Sequence, residues 1–409
     1  MNRRLSRRRA LALSVAAFVV SLGVFEALNG TAQPTRRAGV SAAALTQRGN
    51  DELQRARETA DPAHYARAQA AYGQALRGDP RSVDATIGLA TLSLARHDFR
   101  GALRHALRAR RLGPELARPY SVLVDAQLEL GRYEQAGRSL QRMIDLRPSL
   151  ASYARVSYFR ELHGDLAGAT EAMSLAVSAG SGVPENTAHV QTLLGDLEAV
   201  RGRKREARRA YMTALAGVAG YVPARVGLAR LDAAGGRLRR AIRGYEEIVR
   251  RRPLPEYVIA LGETQQAAGR TADARETYAL VDAQRRLLAA NGVNSDVEIA
   301  LFESDHGDRG RAVDLARRAW RAAPSVRSAD AVGWALTRSG RPRDGLAWAR
   351  RATQLGSRDP LILTRAGLSA RAAGSDREAR RYLRLALRAD PRFSALWAPR
   401  ARRALRAIT

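Results

Sequence analysis

The chain has 409 residues, no cysteine, and a formal charge of +29 from 69 basic and 40 acidic residues. The lack of cysteine excludes disulfides, thiolate metal sites and a cysteine nucleophile. Every basic residue except Lys204 is an arginine. Such a skew is typical of a GC-rich genome, and it is also typical of a surface that binds an anionic partner.

The N-terminus has the layout of an export signal. Five arginines precede the uncharged run Ala10–Phe25, and Thr31-Ala32 offers a small-residue cleavage site. Ser6–Leu11 also resembles a twin-arginine export motif. Residues 1–32 are therefore predicted to be a cleaved signal peptide, and residues 33–45 a linker.

An uncleaved signal anchor is the alternative. The segment Ala10–Leu28 is long enough to span a bilayer if Glu26 lies near its outer end. The arginines before it would keep the N-terminus in the cytoplasm. Both interpretations predict an extracytoplasmic protein, either secreted or anchored by one N-terminal transmembrane helix.

A helical hairpin is clearest in residues 222–255. Two helical patterns flank Gly235-Gly236, and Pro253 ends the second pattern. In that second pattern Ala241 and Tyr245 lie on an apolar face with period 3.6. This face is too large to leave exposed and too small to form a core, so the hairpin needs a neighbouring copy on each side.

The same hairpin recurs along most of the chain at intervals of 33, 34 or 38 residues. The first small residue on the packed face of each second helix marks the phase: Ala68, Ala102, Ala136, Ala169, Ala207, Ala241, Ala274, Ala312, Gly345 and Ala379. The turn glycines keep the same phase: Gly131, Gly164, Gly202, Gly236, Gly269, Gly340 and Gly374. Leu-Gly pairs occur in two first helices, at Leu194-Gly195 and Leu261-Gly262.

This pattern of Leu-Gly, alanine, aromatic residue and proline resembles the tetratricopeptide repeat (TPR) family. The resemblance covers residues 46–392 and implies an all-α, right-handed superhelical solenoid of about ten TPR-like helix-turn-helix repeats. The two 38-residue intervals predict longer connections near Ser178–Pro184 and Ala289–Ser295. Residues 393–409 are predicted to form a C-terminal capping helix, with a basic membrane-surface helix as the alternative.

The resemblance also implies that the first helices line a concave groove. The repeat positions that face this groove carry several acidic residues in the middle of the solenoid, although the whole chain is basic. The predicted partner-binding residues are Asp125, Glu129, Tyr158, Asp196, Glu256, Glu263 and Trp334. We therefore expect a non-enzymatic protein–protein interaction scaffold that binds an unknown protein or peptide, with a basic segment favoured by charge.

An assembly factor is the second hypothesis, because arginines crowd the second helices. Their convex face would bind anionic lipid or cell-wall polymer, unless it is simply a solvated surface. Nucleic acid is a less suitable partner, because the export signal argues against it and no aromatic residues are interleaved for base stacking. An enzyme would need a catalytic domain outside the repeats, and the sequence predicts no catalytic constellation, cofactor or metal site. The turn Asp305–Asp308 is the nearest approach to a metal loop.

Overall fold

A computed structural model describes residues 41–408, which contain 21 α-helices and no β-strand. The predicted signal and most of the predicted linker lie outside these residues. None of the described helices has the length and apolar character needed to span a bilayer. The helices are α1 (Ala42–Thr59), α2 (Ala63–Gly78), α3 (Val83–Ala95), α4 (Phe99–Leu112), α5 (Ala117–Glu129), α6 (Tyr133–Leu146), α7 (Leu150–Leu162), α8 (Leu166–Ala179), α9 (Pro184–Val200), α10 (Lys204–Gly217), α11 (Val222–Ala234), α12 (Leu238–Arg251), α13 (Pro255–Ala267), α14 (Thr271–Ala290), α15 (Asp296–His306), α16 (Arg309–Ala322), α17 (Val326–Arg338), α18 (Pro342–Ala352), α19 (Pro360–Ala372), α20 (Asp376–Ala389) and α21 (Trp397–Arg406).

The first twenty helices pair into ten successive hairpins, and α21 follows the tenth. The small residues that mark the repeat phase are buried in all ten second helices, from Ala68 to Ala379. They lie where the two helices of a hairpin approach closely, which only a small side chain allows. The predicted all-α solenoid of about ten TPR-like repeats is confirmed.

The turns within hairpins are made by residues in the left-handed conformation. All seven predicted turn glycines have φ between +69° and +85°. In the first two hairpins Ala60 and His97 take this conformation instead, with φ of 59° and 57°. Several helices then begin at an N-cap such as Asp98 or Asp165, whose carboxylate accepts a backbone N–H of the first turn.

The Leu-Gly pairs are explained by the aromatic residue of the second helix. The Tyr211 ring lies between Gly195 of its own hairpin and Gly227 of the next one. A Cβ at either glycine would come within 2.5 Å of the Tyr211 ring. Tyr72 lies between Gly49 and Gly88 in the same way. The glycines therefore leave the space that a buried aromatic ring needs between successive first helices.

The longer repeat intervals are not produced by longer connections, so that prediction is wrong. The connection before Pro184 has only the four residues 180–183, and helix α9 is 17 residues long. Similarly, α14 extends over 20 residues before a short connection to α15. The extra residues of the two longer intervals lengthen helices α9 and α14 instead of the connections between hairpins.

First helices form the inner wall of the solenoid and second helices form the outer wall. In most neighbouring hairpins the two first helices contact each other, for example α1 with α3 and α15 with α17. Each second helix packs on its own first helix, and every one except α14 also packs on the first helix that follows it. This arrangement curves the array towards the first helices and creates the concave side.

The solenoid coils so tightly that hairpins six repeats apart touch along a line that we call the seam. In the turn of the second hairpin, the Arg96 carbonyl accepts the Asn294 N–H at 3.0 Å. The Tyr133 hydroxyl accepts the Val326 N–H at 2.8 Å in the same way. Further along, Lys204 Nζ lies 3.2 Å from an Asp390 carboxylate oxygen. The seam thus joins turns of hairpins two to five to segments that flank hairpins eight to ten.

Candidate partner-binding groove

Several aspartates of the first helices are paired with arginines of the next first helix. Asp125 in α5 accepts two hydrogen bonds from Arg155 in α7, at 2.9 and 2.7 Å. Asp196 in α9 is bonded to Arg230 in α11, 34 residues later. These pairs recur at about the repeat length, and the full series is Asp84–Arg118, Asp125–Arg155, Asp196–Arg230, Asp305–Arg338 and Asp330–Arg365. We call this series the ladder.

The Asp125–Arg155 rung is fully enclosed, with both side chains 0% exposed. Arg155 also donates to the Ser121 carbonyl at 3.2 Å and to the Ala151 carbonyl at 3.0 Å. A buried ion pair with all its hydrogen bonds made aligns two elements more than it stabilises them. Asp125 therefore lies between two hairpins and presents no surface to the groove, and Asp196 is 7% exposed.

Two further predicted residues lie at the seam. Glu129 at the end of α5 is 3.5 Å from Arg327 of α17, and Arg327 also lies 3.3 Å from Glu298. Tyr158 in α7 is 2% exposed within a hydrophobic cluster that includes Val326. These residues connect hairpins three and four to hairpins eight and nine, a role that sequence spacing could not indicate.

Glu256 is different, because the ladder does not neutralise it. Burial, together with the nearby Glu298 carboxylate, raises the pKa of Glu256 to about 7. Glu161 in α7, which the repeat phase also places on the concave side, is similar. Its pKa is raised to about 8 by burial and by the Asp359 and Asp196 carboxylates. Within residues 41–408 neither Glu161 nor Glu256 forms an ion pair with a basic side chain, so both carboxylates lack a compensating charge.

Glu263 and Trp334, the last two predicted residues, are brought together by the C-terminal segment. The Trp397 indole Nε1–H donates to a Glu263 carboxylate oxygen at 3.0 Å. The Trp334 indole donates to Asp305 at 3.1 Å, and the two tryptophan rings meet edge to face at 5.9 Å. Trp397 is not among the predicted groove residues, because its segment is predicted to be a capping helix or a membrane-surface helix.

The outer wall carries the unneutralised arginines. On α20 an exposed stripe is formed by Arg377, Arg381, Arg384 and Arg388, none of which is paired with a carboxylate among the described residues. These side chains, with Arg380 and Leu385, line an open cleft of about 740 Å³. A smaller cavity of about 290 Å³ lies between α16 and α18, beside Trp320 and Trp348.

The turn that resembled a metal loop has a structural role. Asp308 accepts the Arg311 N–H at 2.8 Å and so caps α16. His306 stacks on Tyr278 with ring centroids 4.3 Å apart. Within the described range no three His, Asp or Glu side chains are placed to hold a metal ion.

Comparison with known proteins gives structural similarity only. No protein-family profile matches the sequence, and no curated protein matches it. A thermophilic TPR protein of Thermus thermophilus is 22% identical over 44% of this chain and 95% of its own, with a TM-score of 0.38. The Cut9–Hcn1 hetero-tetramer of the APC/C is 16% identical over 97% of this chain and 81% of that one, with a TM-score of 0.40. A tetratricopeptide repeat protein from Parabacteroides merdae is 15% identical over 63% of this chain and 98% of its own, with a TM-score of 0.35.

The described residues therefore define a class: an all-helical solenoid of ten TPR-like hairpins with a tightly coiled, charge-lined concave side. Solenoids of this class present extended surfaces for other macromolecules, chiefly proteins.

Proposed function

We propose that this chain is a non-enzymatic scaffold, exported or tethered to a membrane, that binds a protein or peptide segment at the concave side of its solenoid. The observation that carries the proposal is the presence of uncompensated carboxylates on the inner wall. The ladder supplies an arginine to Asp125 and Asp196, and Arg327 lies beside Glu129 across the seam, but Glu161 and Glu256 receive no arginine within residues 41–408.

A basic segment fits these carboxylates. An arginine or lysine of the partner would supply the missing charge and would lower the raised pKa values of Glu161 and Glu256. A cation that contacts a partly buried carboxylate interacts with it more strongly than it would in bulk water. This is the chemical reason for preferring a basic protein segment over an acidic one.

Entry of a segment requires the groove to widen. The seam combines hydrogen bonds and ion pairs at turns, such as Asn294 with Arg96 and Lys204 with Asp390, with apolar contacts such as that of Val326 in the Tyr158 cluster. Hydrogen bonds of this kind contribute about 0.5–1.5 kcal/mol each. A partner that binds the open coil more tightly than the closed coil would shift the solenoid towards the open form.

Affinity capture from the native cell tests this proposal. The full-length chain is compared with a Glu161→Gln/Glu256→Gln variant and with a control variant, Glu134→Gln/Glu171→Gln, whose changes lie on the exposed outer helices α6 and α8. We expect the bound protein to be retained by the control and lost from the groove variant. Equal capture by all three chains would contradict groove binding, and no specific protein in any capture would contradict the scaffold function.

The proposed export is tested separately, by N-terminal sequencing and membrane fractionation of the protein made in its own cell. A mature start near Gln33 in a soluble fraction is expected for a cleaved signal, and an intact Met1 in the membrane fraction for an anchor. An intact Met1 in the cytosolic fraction would contradict both.

Binding of an anionic surface by the outer wall is the second candidate function. It is favoured by the arginine stripe on α20, because Arg381, Arg384 and Arg388 are exposed and have no carboxylate partner among the described residues. Vesicles test it directly. Sedimentation with anionic vesicles at low salt should fall as salt rises, and the Arg381→Gln/Arg384→Gln/Arg388→Gln variant should bind less. Equal binding of the parent chain to neutral vesicles would contradict this function.

A further inference from the structure

The C-terminal helix α21 covers the tenth hairpin and also reaches the concave side. Ala398, Ala401 and Ala404 are buried against the last hairpin, as expected for an end cap. Trp397, at the first position of α21, is buried in the same cluster and also reaches hairpins seven and nine. Its indole donates to Glu263 of α13, 134 residues earlier in the chain.

The site that contacts Trp397 contains the aromatic ring of Trp334 and the carboxylates of Glu263 and Asp305. Trp334 packs edge to face on the Trp397 ring, and its own indole is bonded to Asp305. Glu263 is 20% exposed and accepts the Trp397 N–H. Two of the seven groove residues predicted from sequence, Glu263 and Trp334, are therefore already occupied by the protein's own C-terminal segment.

Beside this site lies a buried imidazole with an unused ring nitrogen. His306 is 6% exposed, and its Nε2 lies 3.7 Å from the nearer Glu263 oxygen without a hydrogen-bond partner. The opposite side is basic, because the Arg400 guanidinium lies 4.6 Å above the Trp397 ring. The resident segment thus contributes an indole followed one helical turn later by an arginine, and the receiving site contributes carboxylates and aromatic rings.

Helix α21 is a short element at the end of the described solenoid. The helix has ten residues and is joined by the connection 390–396, and helices of this length are marginal on their own. It carries four arginines, and burial together with their mutual repulsion lowers the pKa of Arg402. Terminal elements of this kind open at lower free energy than the core of a domain.

We propose that the C-terminal segment 393–408 is a resident, displaceable ligand of the site formed by Glu263, Asp305, His306 and Trp334. The external partner of this site is a protein segment of the same chemistry: a basic helix that presents a tryptophan and, one turn later, an arginine. This inference rests on the proposed scaffold function and names the kind of segment that the groove binds.

A peptide supplied in trans tests the inference. A fluorescein-labelled peptide with the sequence of residues 393–408 is titrated into the full-length chain and into its Trp397→Ala variant, with fluorescence anisotropy as the readout. The variant should bind the peptide at least tenfold more tightly, because the indole site is vacant and the peptide brings the missing tryptophan. A peptide with alanine in place of that tryptophan should not bind either chain.

Three further variants make the test specific. Adding Glu263→Gln to Trp397→Ala should weaken peptide binding about tenfold, because the indole then donates to a neutral amide oxygen instead of a charged carboxylate. Trp348→Ala, on the outer wall, should bind the peptide like the parent chain. Trp397→Phe keeps the packing but removes the N–H donor, so it should bind the peptide with intermediate affinity even if Trp397→Ala unfolds the last hairpin.

Failure of this inference is distinct from failure of the proposed function. If neither Trp397 variant binds the peptide more tightly than the parent, α21 is a fixed cap and the inference is overturned, whatever the affinity capture shows. If the peptide binds as expected but no cellular protein is captured, the displaceable ligand stands and the scaffold function is overturned.

Discussion

Arg155 and Asp125 are joined inside the solenoid by two hydrogen bonds, and neither side chain is exposed to solvent. They belong to successive first helices, 30 residues apart, so the pair fixes how one hairpin sits on the next. Removing one partner leaves a buried, unpaired charge, which costs more than the pair itself contributes.

We therefore expect Asp125→Ala to lower the free energy of unfolding by about 3–5 kcal/mol. The matched control is Asp84→Ala, which removes the carboxylate of the exposed rung to Arg118, where the Asp84 side chain is 49% exposed. That change should cost less than about 1 kcal/mol. Urea unfolding followed by circular dichroism measures both, and equal losses would show that burial of the rung is unimportant.

The tyrosine between two glycines gives a second prediction. A Cβ at Gly195 would lie 2.5 Å from the Tyr211 ring, so Gly195→Ala should destabilise the fold by about 1–3 kcal/mol through overpacking. At Gly73, within α2, the nearest atom to an added Cβ is the end of the Arg77 side chain at 3.7 Å. Gly73→Ala should instead stabilise the protein by up to about 1 kcal/mol. Thermal unfolding of both variants checks this, and a stabilised Gly195→Ala chain would contradict the packing.

The repeat could be predicted from sequence because its determinants are local and periodic. Ala241 and Gly236 each mark a close approach or a left-handed turn within one hairpin, and both recur at a fixed spacing. The ladder was also accessible in principle, because Asp196 and Arg230 are one repeat apart. The predicted groove residues do not reveal these pairs, because each residue is identified within one helix and each pair joins two hairpins.

The seam and the position of Trp397 could not be predicted in this way. Glu263 and Trp397 meet because small rotations between many successive hairpins add up to a tight coil. No pattern within one repeat specifies that sum. An error of a few degrees per hairpin would separate residues such as Tyr133 and Val326, which are 193 positions apart.

A methyl group added at Gly131 should separate the hairpins that meet at the seam. A Cβ at Gly131 would lie 2.2 Å from the Pro324 carbonyl oxygen across the seam. Gly236 has a similar left-handed φ, 79° against 69°, but nothing lies within 4 Å of an added Cβ. Both alanine variants carry similar backbone strain, but only the Gly131→Ala methyl group meets an atom across the seam. Only Gly131→Ala should therefore also separate the hairpins that meet there.

Small-angle X-ray scattering measures this separation. The radius of gyration should increase for Gly131→Ala and remain at the parent value for Gly236→Ala. If both variants keep the parent radius, the coils are not in contact at Gly131 in solution.

The last prediction concerns pH and Glu161. Its pKa rises from 4.5 in the unfolded chain to about 8 in the folded one, because of burial and the Asp359 and Asp196 carboxylates. The folded state therefore binds the proton more tightly than the unfolded state between these two values. Stability from this group is complete below about pH 4.5 and is lost as the pH rises through about 8, by at most about 1.4 kcal/mol per pH unit.

Glu161→Gln keeps the neutral form at every pH, so it should leave stability nearly unchanged at pH 4.5 and increase it at pH 8.5. Glu171→Gln, on the exposed face of α8, is the control and should have little effect at either pH. Urea unfolding of the three chains at both pH values provides the measurement. If Glu161→Gln changes stability equally at pH 4.5 and 8.5, then a cation neutralises Glu161 in solution, and the uncompensated charge on which groove binding rests is absent.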